Sequence, residues 1–186
     1  MFGIGMNEFL LVMLLAWGCS SSPHRIDPPP GRPLAIINQV PFVEQTSEMC
    51  GPTSLYMVAR PHLPNLALEQ VSGLTFTPGA SGSYKQDMLA ATRRLGLSPY
   101  RVESLPQIYE RLAEGTPVMI FHQTHFASKK FWHYSVLTGY DFREGNFLVH
   151  LGERPHTPLS IQEFTADWEI GGSWAHVVVP PQALPA

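Results

Sequence analysis

An α+β fold, helices first and a mostly antiparallel sheet second, is predicted by the order in which two patterns occur along the chain. Between about Thr53 and Ala113 apolar residues recur at helical spacing, punctuated by Pro61, Gly96 and Gly115. From Val118 onward they come instead as short β-branched and aromatic runs separated by turn signals. This is not the strict strand–helix alternation of a doubly wound sheet. Size supplies the third observation: 186 residues, 44% of them apolar, suffice for one core, so both halves belong to one domain with short tails.

Taken in order, Leu34-Ala35-Ile36-Ile37 and Val40-Pro41-Phe42-Val43 read as short extended runs. Thr53 to Arg60 is helical, with Leu55, Val58 and Ala59 turned inward, and Pro61 ends it. Leu66 to Leu74 gives a second helix, followed by a turn-rich loop from Thr75 to Gly82. Ser83 is placed to cap a third helix, whose apolar positions Met88, Leu89, Ala91 and Leu95 precede a stop at Gly96. A fourth runs from Leu105 to Ala113. Strands are expected at Val118–Phe121, His133–Tyr140, Phe147–Leu151 and Trp174–Val179, with a short helix at Ile161–Trp168. Trp168 and Trp174 read as core, and Lys129-Lys130 as a solvated loop tip.

Ahead of this domain, which spans residues 34–181, lie two segments of different character. Residues 20–33 are rich in Ser, Pro and Gly, with Pro28-Pro29-Pro30 in the middle, a composition suited to an extended tether. Residues 1–19 contain the apolar run Phe9 to Trp17, too short to span a bilayer, ending in Gly18-Cys19 and three serines. That pattern resembles a bacterial lipoprotein signal, although residues 1–8 hold Glu8 and no Lys or Arg, and Trp17 is bulky beside the cleavage point. The resemblance implies export, lipidation at Cys19 and a domain anchored in the cell envelope, facing the periplasm; an ordinary signal peptide or short anchor is the alternative. Residues 182–186 form a tail.

The net charge is −3, with Lys and Arg scattered, which excludes the basic footprint of a nucleic-acid binder. Cys19 and Cys50 are the two cysteines, and their separate settings predict no structural disulfide. Cys50 stands at the start of a helix, where unpaired amides and the positive dipole end favour a thiolate. Gly51 permits close backbone approach and Pro52 suits a first helical turn. A thiol used this way needs a base, and His133, in Trp132-His133-Tyr134, is the candidate, expected at the start of a strand after a polar loop. His122, His125 and His133 do not have zinc-site spacing and no second thiol is available, so His122 and His125 read as surface or loop residues and no metal or organic cofactor is expected. Phe131 and Trp132 fit either a substrate cleft or the core.

Gln45, Cys50-Gly51-Pro52, and His133-Tyr134 running into Thr138-Gly139-Tyr140-Asp141 resemble the papain-like cysteine peptidases of the bacteriocin-processing, double-glycine type, and more closely their stand-alone exported relatives. The likeness runs from about Val40 to Pro181. It implies a papain-like fold with Cys50 as nucleophile, His133 as base and Gln45 as oxyanion donor, acting on a peptide or protein without a cofactor; a monomer is expected. The family places an Asp-Pro after the histidine strand. Here the strand that follows the histidine strand, at whose end that Asp is expected, reads Phe147 to Leu151, with His150 near the expected position, Glu153 a little beyond and Asp141 at the far end of the hairpin, and no third member is assigned. Two other functions share these residues: a non-catalytic peptide-binding module, and an acyltransferase in which an amine resolves the thioester.

Overall fold

The computed structural model describes residues 31–183, apart from 47, 81, 127 and 128. Residues 1–30, with Cys19 and most of the tether, and 184–186 lie outside them, and no helix among the described residues is long and apolar enough to cross a membrane. The elements follow the order β1 (Leu34–Ile36), α1 (Cys50–Ala59), α2 (Leu68–Thr75), α3 (Lys85–Arg94), β2 (Ser98–Arg101), α4 (Leu105–Ala113), β3 (Val118–Phe126), β4 (Lys129–Asp141), β5 (Asn146–Leu151), β6 (Arg154–Ser160), α5 (Ile161–Ile170) and β7 (Trp174–Val179). A single antiparallel sheet has the order β2-β7-β3-β4-β5-β6, with β1 continuing along β4 opposite Gly139 to Asp141.

Several expectations hold and others need correction. The α+β order stands, α4 has the expected bounds, and Trp168 and Trp174 are core residues. Helix α1 begins three residues before Thr53, at Cys50 itself. Ser83 does not cap α3: the residue before the helix is Tyr84, with no side-chain cap, and the Ser83 hydroxyl is buried without a partner. The run Val40 to Val43 stays outside the sheet. Among the described residues, His122 to Phe126 and Lys129 to Trp132 form paired strand, not the expected polar loop; Lys130 is exposed but lies within the ladder. Strands β2 and β6 have no counterpart among the expected strands.

This long hairpin gives the sheet two differently used faces. In an antiparallel pair, opposed residues share a face. One face carries Met119, Phe121 and Tyr134, and receives α1 and α3: Lys85 sits over the Phe121 ring and the Tyr134 hydroxyl donates to Ser83 O. The other carries His122, His133 and Ser135, and is covered by α5, whose Phe164 ring lies against His122. The core spans both faces, from Leu55, Met57 and Val58 of α1 to Phe164 and Trp168 of α5. Fully burying side chains of this size contributes roughly 1.5–3 kcal/mol each, before the opposing entropy.

Candidate active site

Three features of α1 set Cys50 in place. The helix starts there with no side-chain cap from Met49, so its first amides are not taken by a local oxygen. Gly51 is required by packing: a Cβ would lie 2.6 Å from the Ser83 hydroxyl and 3.3 Å from Met88 Sδ. Cys50 itself is buried, with its sulfur against the edge of β4 at Tyr134.

That edge is open for a topological reason. The pairing of β4 with β5 starts at Val136 opposite His150 and does not extend to His133. Gln45 fills the place, its main-chain N–H donating to Gly152 O at 3.0 Å. The buried side chain of Gln45 then ties the helix to the strand. Its Nε2 donates to Ser54 Oγ at 2.9 Å and Cys50 O at 3.3 Å, with Tyr134 O at 3.5 Å. Its Oε1 meets His133 Nε2 at 3.0 Å. Gln45, Cys50 and His133 are thus brought together, with Gln45 as the link.

The electrostatics favour an uncharged pair at rest. Burial pushes the Cys50 thiol above its ordinary value of 9.0, against the pull of the main-chain amides of Tyr134, Gly51 and Cys50. Burial also lowers His133 from 6.5 to about 4. Near neutrality the thiol keeps its proton and the imidazole has a free lone pair to receive it.

The other sequence candidates fall elsewhere. His122 is not a surface residue: it is 2% exposed, its Nε2 is 3.0 Å from Ser135 Oγ, and its ring lies edge-on to His133 at 6.4 Å. Burial, then the neighbouring His133, lowers it to about 3. The side chain of His125 lies outside the described residues. His150 is buried against Val40 O and the His156 N–H. Glu153 is exposed in a turn, and the Asp141 carboxylate accepts from the Arg143 and Glu144 amides at the far end of β4. Among the described residues, no group of three or more His, Cys, Asp or Glu is arranged to hold a metal. Phe131 and Trp132 are half-exposed and belong to the surface rather than to the core, Phe131 on the His133 face of the hairpin and Trp132 on the opposite face, stacked on Phe121. Beneath α5, a cavity of about 490 Å³ lined by His122, Gln123, Leu151, Leu159, Glu163 and Asp167 adjoins the site.

Two contributors escaped the sequence reading. Ser54 lies one turn after Cys50, on the same helix face, and that i,i+4 spacing was its available signal. Tyr134 acts through its main chain, for which no side-chain pattern exists.

A thiol at a helix start beside a strand histidine, on an open antiparallel sheet, is the arrangement of papain-like cysteine peptidases. The sequence model of the Peptidase_C39 like family matches residues 37–173, and the chain belongs to that family of cysteine peptidases. Three solved structures share the fold. A double glycine motif protease from an AMS/PCAT transporter, in complex with the leader peptide, is 23% identical with a TM-score of 0.59, over 78% of this chain and 94% of that one. A putative C39-like peptidase from Bacillus anthracis is 17% identical with a TM-score of 0.62, over 78% and 97%. The peptidase domain of Streptococcus ComA, a bifunctional ABC transporter involved in quorum sensing, is 18% identical with a TM-score of 0.58, over 76% and 98%. No curated protein matches the chain by sequence.

Proposed function

We propose that the protein hydrolyses peptide bonds in the bacterial cell envelope, with Cys50 as nucleophile and His133 as general base, held at the membrane by lipid on Cys19 and working as a monomer. The observation that carries the reading is the Gln45 bridge, which joins the nucleophile's helix to the imidazole through bonds of 2.9 and 3.0 Å. Cys50 Sγ attacks the carbonyl carbon as His133 takes the thiol proton. Negative charge gathers on the carbonyl oxygen, stabilised by the Cys50 amide and by Gln45 Nε2, which gives up its 3.3 Å bond to Cys50 O. The imidazolium passes its proton to the departing amine, leaving a thioester on Cys50. Water, deprotonated by the same imidazole, releases the acid and restores the thiol. Support for a peptide substrate comes from the transporter peptidase whose structure holds a leader peptide. Support for the anchor is the apolar run ending in Cys19, followed by the proline-rich tether.

A second reading, a peptide-binding module without turnover, is favoured by the uncharged partner of His133, where the family pattern has a carboxylate. The two separate in one experiment. Purified protein is incubated with a defined mixture of peptides, and products are read by mass spectrometry beside the Cys50→Ala variant. New termini that depend on Cys50 are expected; binding of the peptides by both forms with no cleavage by either would overturn the peptidase reading. Added amines that appear in the products would turn hydrolysis into transfer. Globomycin treatment of producing cells should leave an uncleaved precursor, and normal maturation under the drug would overturn lipidation.

A further inference from the structure

The Gln45 amide can be oriented without ambiguity, and this fixes a proton on His133. One end of the amide lies among three acceptors, Ser54 Oγ, Cys50 O and Tyr134 O. Two of them are main-chain carbonyls, which only accept, so this end is the NH2 group. The opposite end, Oε1, only accepts, and it faces His133 Nε2 at 3.0 Å. His133 Nε2 therefore carries the hydrogen, and in a neutral imidazole the lone pair must then be on Nδ1.

We infer that Gln45 is the positioning residue of His133: its Oε1 holds the Nε2–H and commits Nδ1 to the thiol, the task that a carboxylate performs in triads. This rests on the proposed roles of Cys50 and His133. Because Gln45 is itself held by Ser54 Oγ and by its own N–H on Gly152 O, it is a fixed reference for the ring. Among the described residues it is Gln45 Oε1, not a carboxylate, that meets Nε2: Asp141 is engaged at the far end of β4, Glu153 is exposed, and His150, near the position expected for an acid, is bonded to Val40 O. The groups around the imidazole are the Gln45 amide, which also bonds Cys50 O of α1, His122 from β3, and, lining the cavity beside His122, Glu163 and Asp167 from α5. A neutral acceptor orients the ring and stabilises its charged form less than a carboxylate would, which suits a base that starts and ends each turnover neutral.

The test begins with the unmodified protein. Nitrogen NMR of histidine-labelled protein at neutral pH, with His133→Asn for assignment, should show His133 as the Nε2–H tautomer; the Nδ1–H tautomer would overturn the proposal. Gln45→Glu places a carboxylate on Nε2–H and should raise the His133 titration by about one pH unit or more. Gln45→Ala should leave a mixture of tautomers. If Gln45 served only the oxyanion, both variants would lose rate with the His133 tautomer and titration unmoved, and the proposal would fail. None of the NMR readouts needs turnover, so they stand apart from failure of the peptidase reading itself.

Discussion

Lowering the pH should unfold this protein through histidines that are buried without charge. His122, His150 and His176 are 2%, 1% and 6% exposed, and burial lowers them to about 3, 4 and 4. In the unfolded chain each returns to about 6.5. The folded state binds fewer protons, so stability is fully present above pH 6.5 and is lost as pH falls toward the folded values. Between pH 7.5 and 5.5 each histidine costs about 1.3 kcal/mol, or roughly 4 kcal/mol for the three. That is a large part of the 5–15 kcal/mol typical of a domain. Urea unfolding followed by tryptophan fluorescence, with Trp168 and Trp174 in the core, reads this directly. His176 supplies a control away from the site: its Nδ1 has no hydrogen-bond partner among the described residues and Arg101 and Arg93 add to its shift, so His176→Gln should remove about 1.3 kcal/mol of the pH effect. An unfolding free energy that stays flat from pH 7.5 to 5.5 would refute the reasoning.

Alkylation of Cys50 by iodoacetamide should rise steadily from pH 6 to 9, because burial raises the thiol and lowers His133; a rate plateau below pH 6 would indicate a preformed ion pair. Ser54→Ala removes the 2.9 Å anchor of Gln45 and should cost about 1–2 kcal/mol of stability, with peptide cleavage falling by more than the unfolded fraction explains. Gly139→Ala would put a Cβ against Ala35 O of β1, and should destabilise by about 2 kcal/mol or more, read as a lower urea midpoint.

How far the chain could be read follows from what each signal depends on. Gln45, Cys50 and His133 were legible because local chemistry marks them: a thiol before Gly-Pro, an amide five residues upstream, a histidine between aromatics. The two missed strands, β2 and β6, contain Pro99, Pro155 and Pro158, which normally argue against a strand. They lie at the two ends of the sheet, where a missing N–H costs no ladder bond. His122 read as a loop residue because its burial comes from pairing with His133 across a hairpin and from α5, neither visible in neighbouring residues. Ser83 looked like a cap, but the space next to Gly51 takes its side chain. No pattern near His150 leads to the partner of His133, because that partner, Gln45, lies 88 positions away and the family resemblance gives it an oxyanion role instead.

The central claim is an acyl-enzyme on Cys50, and intact-mass spectrometry of protein quenched during turnover of a cleavable peptide ester tests it most directly. The mass of the acyl group should appear once per chain, mapped to the peptide containing Cys50, and vanish in Cys50→Ala, with His133→Ala slowing its formation by about 10²-fold or more. Cleavage products that accumulate with no acylated protein, or that persist in Cys50→Ala, would contradict the account.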